Sequence, residues 1–181
     1  MKKHLMEGFM DKSQLAAKVK EACYLTGNFI LSSGKRSNYY LDKYRFSTHP
    51  ELLGAVAEEI AKRVPPGVNR LAGPELGAVP IAAAVSLKTG IPYVIVKKDQ
   101  KDYGTKRPIE GILEQGDHVF LIEDIITTAT QCIRAAKRLV SEGAVVTKII
   151  GVIDRQEGGA ENIAAAGFDY EPLFTKEELG I

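Results

Sequence analysis

The chain has 181 residues, 45% hydrophobic and 26% charged, the balance of a soluble globular domain long enough to bury a core without disulfides or a structural metal. Its 24 basic and 23 acidic side chains leave a net charge of +1, which argues against a surface coated with nucleic acid. No apolar run approaches the ~20 residues of a membrane span, and the opening MKKHLMEGFMDKSQ lacks the apolar stretch of a secretory signal.

Residues 11–24 have helical spacing, with Leu15, Val19 and Ala22 on one face. Residues 28–41 read as two short strands, FIL and YYL, joined by the turn-like SSGKRSN. Residues 50–64 form a second amphipathic helix, with Thr48 as the expected N-cap and Pro65 and Pro66 as its stop. RLAGP is a buried strand, 79–88 an alanine-rich helix ending at Gly90, and YVIVKK a strand. Residues 99–111 are polar and without period, hence a loop. HVFLIED is an apolar strand ending in two acids, and 130–141 a helix stopped by Gly143. VVTKIIGVIDR is a strand, 162–166 a short helix and 168–174 a last strand. Strands alternating with helices predict an α/β fold with a mostly parallel central sheet flanked by helices. Ligands of such sheets bind beyond the carboxyl ends of strands. The segments there are GPELGA, KKDQKDYGTKRP, EDIITTATQ and DRQEGG.

EDIITTATQ carries the most chemistry. Glu123 and Asp124 come side by side from a strand, followed by Ile125 and Ile126, then Thr127, Thr128, Ala129, Thr130 and Gln131 at a helix start. Amides and hydroxyls at a helix N-terminus favour an anion. Two carboxylates beside it suit the vicinal hydroxyls of a sugar. The pattern predicts a sugar phosphate, unless Asp124 or Thr127 merely caps the helix. It is neither a Walker A loop nor GxGxxG, so a plain ATPase or a dinucleotide dehydrogenase is disfavoured. Cys23 and Cys132 stand apart in no metal-ligand spacing and are read as free thiols of a reducing, cytoplasmic compartment.

EDIITTATQ resembles the phosphoribosyl-pyrophosphate motif of type I phosphoribosyltransferases. FILSSGKRSNYYLD, AGPELGAVPIA, KKDQKDYGTKRPIEG and IDRQEGG resemble four further segments of the orotate phosphoribosyltransferase family, in the expected order from Phe29 to Gly159. The resemblance implies the type I fold, with residues 1–45 as N-terminal helix and hood and 46–181 as the core. It implies phosphoribosyl transfer to orotate with Mg²⁺, held mainly by pyrophosphate and water, and a homodimer whose mobile loop is shared across the interface. It places Glu123 and Asp124 on the ribose, with 127–131 on the 5′-phosphate and Thr127 also facing orotate. Lys97, Lys98, Lys101 and Tyr103 fall on the pyrophosphate side, with Lys101 as the main catalytic lysine acting in the neighbouring subunit. Arg155, Ser33 and Gly34 fall on orotate. Phe29 and Ile30 are either base wall or core. Lys106, Arg107 and Gly104 complete a charged loop that would close over the site.

The chain departs from the family pattern at four positions. Tyr103 replaces a frequent histidine, Ala129 a usual glycine, and Ser32 and Gly77 lysines that some members carry. Alanine at 129 would have to stay right-handed or accept strain of ~1–2 kcal/mol. Two other functions compete: transfer to a purine or uracil, and a non-catalytic sensor of phosphoribosyl pyrophosphate. The motifs KKDQKDYGTKR and DRQEGG and the presence of Lys101 favour the orotate enzyme over both. A plain nucleotide-binding domain leaves the charged loop unexplained. His4, His49 and His118 fall outside every motif and receive no role.

Overall fold

The computed structural model describes residues 10–30, 34, 36–98 and 107–181. Helix α1 (Lys12–Cys23) opens with a capping box: Asp11 Oδ1 accepts from Gln14 N, and Gln14 Oε1 accepts from Asp11 N. It buries Leu15, Ala16, Val19 and Cys23. Strands β1 (Tyr24–Ile30) and β2 (Arg36–Leu41) form a separate antiparallel hairpin. A four-residue helix α2 (Tyr44–Ser47) then carries Phe46 into the core.

Helix α3 (Pro50–Ala61) has His49, not Thr48, at its N-cap. Thr48 instead ends α2 and donates its hydroxyl to Tyr44 O, so the expected cap serves the preceding helix. Strand β3 (Arg70–Pro74) leads to α4 (Val79–Thr89), closed by Gly90 at φ 73°. Strand β4 (Tyr93–Val96) pairs antiparallel with a two-residue β5 (Ile109–Glu110), which lies inside the stretch expected to be all loop. Next come β6 (His118–Ile126), α5 (Thr130–Ser141), β7 (Val145–Asp154), α6 (Gly159–Ala165) and β8 (Tyr170–Thr175).

The main sheet has the order β5-β4-β3-β6-β7-β8, parallel except at β5. Side chains alternate between its faces. Phe120 and Ile122 join the core under α1 to α4, and Val119 and Leu121 the core under α5 and α6. Burial on both faces explains the unbroken apolar runs of β6 and β7. The chain moves outward from β3 to β4 and β5, then returns to the other side of β3 as β6. That reversal opens a crevice at the carboxyl ends of β3 and β6.

The opposite end of these strands is pinned by Asp117, which is 4% exposed. Its carboxylate accepts from Asn69 Nδ2, Arg70 Nε and Glu114 N at 3.0, 3.0 and 2.9 Å. Burial opposes ionisation there, but the donors and the Arg70 charge together hold the pKa below 3.8. A depressed carboxyl pKa contributes stability above the unfolded-state pKa and loses it as pH falls through the folded one. Asp117→Ala leaves Arg70 unpaired and is expected to cost ~3 kcal/mol in urea unfolding at pH 7. The gap between variant and wild type should narrow below about pH 4.

Candidate active site

A cavity of about 460 Å³ occupies the crevice. It gathers Lys97, Lys98, Glu123, Asp124, Ile125, Ile126, Thr127, Thr128, Ala129, Thr130, Gln131 and Arg155 from the residues singled out in the sequence. Gly34, at φ 79°, does not line it. Ser33, Lys101 and Tyr103 lie outside the described residues. Tyr40, Leu41 and Glu75, from two of the family-like segments but given no role there, also line the cavity, as do Lys43, Arg134 and Arg138, which lie in no motif.

The two acids do not end their strand. β6 runs on because Ile125 and Ile126 pair with Ile153 and Asp154 of β7. Both acids are therefore buried, at 9% and 3% exposure. Burial first, and the charge of Asp124 second, push the Glu123 carboxyl well above the usual carboxylate range. Asp124 Oδ1 accepts from Ile125 N at 2.6 Å. Its Oδ2 meets Lys43 Nζ at 2.7 Å and has no second partner among the described residues. An acceptor buried in a polar cavity with an unused lone pair suits a hydroxyl donor.

Neither Asp124 nor Thr127 caps α5. The N-cap is Ala129, left-handed at φ 60° and ψ 11° with no side-chain cap bond. The strained alternative is thus the one adopted, at roughly 1–2 kcal/mol. It turns the chain so that the first amides of α5 stay open toward the cavity. The loop is braced from behind. Asn162 Nδ2 donates to Thr128 O at 3.1 Å, and Thr128 Oγ1 and Thr130 Oγ1 share a bond of 3.1 Å. A Cβ on Gly159 would come within 2.4 Å of Thr127 O, so only glycine lets α6 approach this closely.

Cations surround the acids and are already engaged. Lys97 Nζ pairs with Glu110 Oε1 at 2.9 Å. Arg138 Nη1 donates to the carbonyls of Lys97 and Lys98, and Lys98 N donates to Glu75 Oε1 at 2.7 Å. These bonds fix the stem from which the charged loop departs. Arg155 N donates to Ile126 O at 2.9 Å. Its guanidinium pairs with Glu157 Oε1 at 2.8 Å and donates to Tyr39 Oη at 3.3 Å, leaving a buried Nε without a partner. Among the described residues no three His, Cys, Asp or Glu side chains stand together as a metal site. No described helix is long and apolar enough to cross a membrane.

A mostly parallel sheet, a threonine-lined helix N-terminus and a buried acid pair at a topological switch point define a type I phosphoribosyltransferase fold and site. The sequence matches no protein-family model. It is 44% identical to the orotate phosphoribosyltransferase of Methanocella arvoryzae over 84% of this chain and 87% of that one. It is 45% identical to that of Methanocaldococcus jannaschii over 93% and 96%. The structure superposes on the orotate phosphoribosyltransferase of Mycobacterium tuberculosis H37Rv in complex with 5-phospho-α-D-ribosyl 1-diphosphate with a TM-score of 0.80. That match is 27% identical and covers 94% of this chain and 99% of that one. The chain belongs to the orotate phosphoribosyltransferase family.

The raised Glu123 pKa has a consequence for stability. A carboxyl whose pKa rises on folding opposes the fold increasingly as pH climbs above its unfolded value, about 4.3. Glu123→Gln keeps the shape and removes the charge. Its melting temperature is expected to match the wild type near pH 4, to exceed it increasingly up to about pH 8, and to keep a steady margin above that, by scanning calorimetry.

Proposed function

We propose that the protein transfers the 5-phosphoribosyl group from phosphoribosyl pyrophosphate to orotate, giving orotidine 5′-monophosphate and pyrophosphate in de novo pyrimidine (UMP) biosynthesis. The observation that carries this reading is the buried acid pair beside the open N-terminus of α5, in a chain of this family. Glu123 and Asp124 accept hydrogen bonds from the ribose hydroxyls, and Asp124 Oδ2 has the unused acceptor capacity for one. Bond breaking to the leaving group puts oxocarbenium-like charge on the sugar, and the neighbouring carboxylate favours it. Amides and hydroxyls of 127–131 hold the 5′-phosphate.

Arg155 pairs with the orotate carboxylate through its planar donor fork, with its unpartnered Nε in reserve. Ser33 and Gly34 meet the other edge of the base. Lys97, Lys98 and Lys101 neutralise the departing pyrophosphate, with Tyr103 at its side, and the loop that carries Lys101 and Tyr103 closes against water. Mg²⁺ is carried by the diphosphate and water and adds positive charge there. The enzyme works as a cytoplasmic homodimer, with Lys101 reaching the neighbouring subunit's site. The free, buried Cys23 and Cys132 support a reducing compartment.

The direct test is loss of orotate absorbance with Mg²⁺ and phosphoribosyl pyrophosphate, with uracil, hypoxanthine and adenine in parallel. Turnover of orotate alone is expected, and turnover of another base would overturn the assignment of Arg155. The shared loop has its own test. Mixed dimers of Lys101→Ala and Asp124→Ala subunits should recover part of the wild-type rate, because one of their two sites keeps both residues. No recovery in dimers shown to be mixed would rule the arrangement out.

A further inference from the structure

Lys43 belongs to none of the motifs above, yet it is the one cation paired with the buried acids among the described residues. It stands at the N-cap of α2, between the hairpin and the core. Its Nζ lies 2.7 Å from Asp124 Oδ2, the lysine 32% exposed into the cavity and the carboxylate 4%. Burial weakens the ammonium, but the Asp124 carboxylate outweighs this and keeps Lys43 charged.

The contact has two unusual features. First, Lys43 is the only partner of the buried Oδ2 among the described residues, so a carboxylate oxygen with two lone pairs keeps one of them unused. A pair serving the fold alone gains most when its remaining valences are satisfied. Here the acceptor is left open on the side of the cavity. Second, the pair fills the place where a side chain on Gly77 would be. A Cβ there would lie 1.6 Å from Asp124 Oδ2 and 2.9 Å from Lys43 Cε. The bare glycine in the turn after β3 is what leaves room for the lysine to reach the acid.

Given phosphoribosyl pyrophosphate as substrate, the charges must rearrange when it binds. The sugar hydroxyls take Asp124, and the ammonium loses its partner. The diphosphate hangs on the carbon next to the 2-hydroxyl, so the nearest new anion is the leaving group. We propose that Lys43 is a diphosphate-binding residue stored on Asp124, which exchanges the carboxylate for the diphosphate as the sugar binds. The exchange conserves charge, since one carboxylate–ammonium contact becomes a carboxylate–hydroxyl and an ammonium–phosphate contact. It also gives the pyrophosphate a cation from the body of the subunit, independent of the charged loop. This inference rests on the sugar diphosphate assigned above.

The test compares three probes by calorimetry with Mg²⁺ present: phosphoribosyl pyrophosphate, pyrophosphate and ribose 5-phosphate, which keeps the sugar and 5′-phosphate but lacks the diphosphate. Lys43→Met is expected to weaken phosphoribosyl pyrophosphate about tenfold, the size of one charge-assisted contact, and pyrophosphate alone far less, because without sugar hydroxyls the lysine stays on Asp124. Ribose 5-phosphate should bind the variant as well as the wild type or better, because no lysine has to be displaced. Lys43→Arg should restore most of the loss, and the KM for orotate should stay unchanged. Lys43→Gln retains a donor toward Asp124 without charge and should show the same diphosphate loss if Lys43→Met does not fold. Equal weakening of all three probes, or phosphoribosyl pyrophosphate affinity within about twofold of wild type, would overturn the proposal. A wild type that binds phosphoribosyl pyrophosphate but leaves orotate untouched strikes the reaction and not Lys43.

Discussion

Two adjacent carboxylates in the central strand of a sheet are an electrostatic liability, and the surrounding structure is arranged around them. Glu123 and Asp124 sit near the end of β6, with β3 on one side and β7 on the other. Buried charges of like sign cannot both ionise without help. The response is divided. Glu123 is driven toward its neutral form by burial and by its neighbour, and Asp124 is matched by Lys43. A sheet that served stability alone would carry apolar residues here, as β6 does from Val119 to Ile122. The price is accepted at the one place where the topology opens a crevice.

That crevice follows from chain order. Because β6 returns to the inner side of β3, the turns after the two strands diverge and leave space between them. Pro74, Glu75 and Gly77 line one wall, and residues 123–131 the other. Small residues keep the walls close. Gly159 lets α6 press on the loop at Thr127, and Gly77 leaves room beside Asp124. Asp117 pins the far ends of the same strands. The site is thus a rigid mouth on a closed base.

Much of this is legible in the sequence because the strands are long and apolar and the helices periodic. The limits of α1, β3, α4 and α5 fall within about one residue of expectation. The acid pair, the threonine loop and Arg155 are legible as cavity-lining residues as well, since each lies at or just past the carboxyl end of a strand and has a residue type that suggests its chemistry. What escapes is what tertiary contact creates. Helix α2 is one turn long and has no period, and β5 exists only through pairing with β4. Thr48 has the right type for a cap, but α2 claims it first. Lys43 and Arg138 look like surface cations in a linear reading. Only the ion pair of Lys43 with Asp124 of β6, and the packing of α5 beside the end of β4, turn them inward. Ala129 shows a subtler limit. Residue type argues against a left-handed backbone, and the loop imposes it regardless.

The cations around the cavity show how such a site can be stable when empty and receptive when filled. Six line it: Lys43, Lys97, Lys98, Arg134, Arg138 and Arg155. Lys97, Arg155 and Lys43 each rest on a carboxylate, and Arg138 on two carbonyls. The partners of Lys97 and Arg155, Glu110 and Glu157, are 50% and 43% exposed. Water competes for such carboxylates, so those pairs contribute at most about 1 kcal/mol and are easily exchanged for a phosphate or a substrate carboxylate. Asp124 is different, because it is buried and water cannot replace Lys43. Its exchange needs a ligand whose own donors enter the cavity as the lysine leaves. A sugar diphosphate brings hydroxyls and negative charge together, whereas inorganic phosphate brings only charge. The burial of one carboxylate therefore makes the empty site selective for a sugar that carries its leaving group.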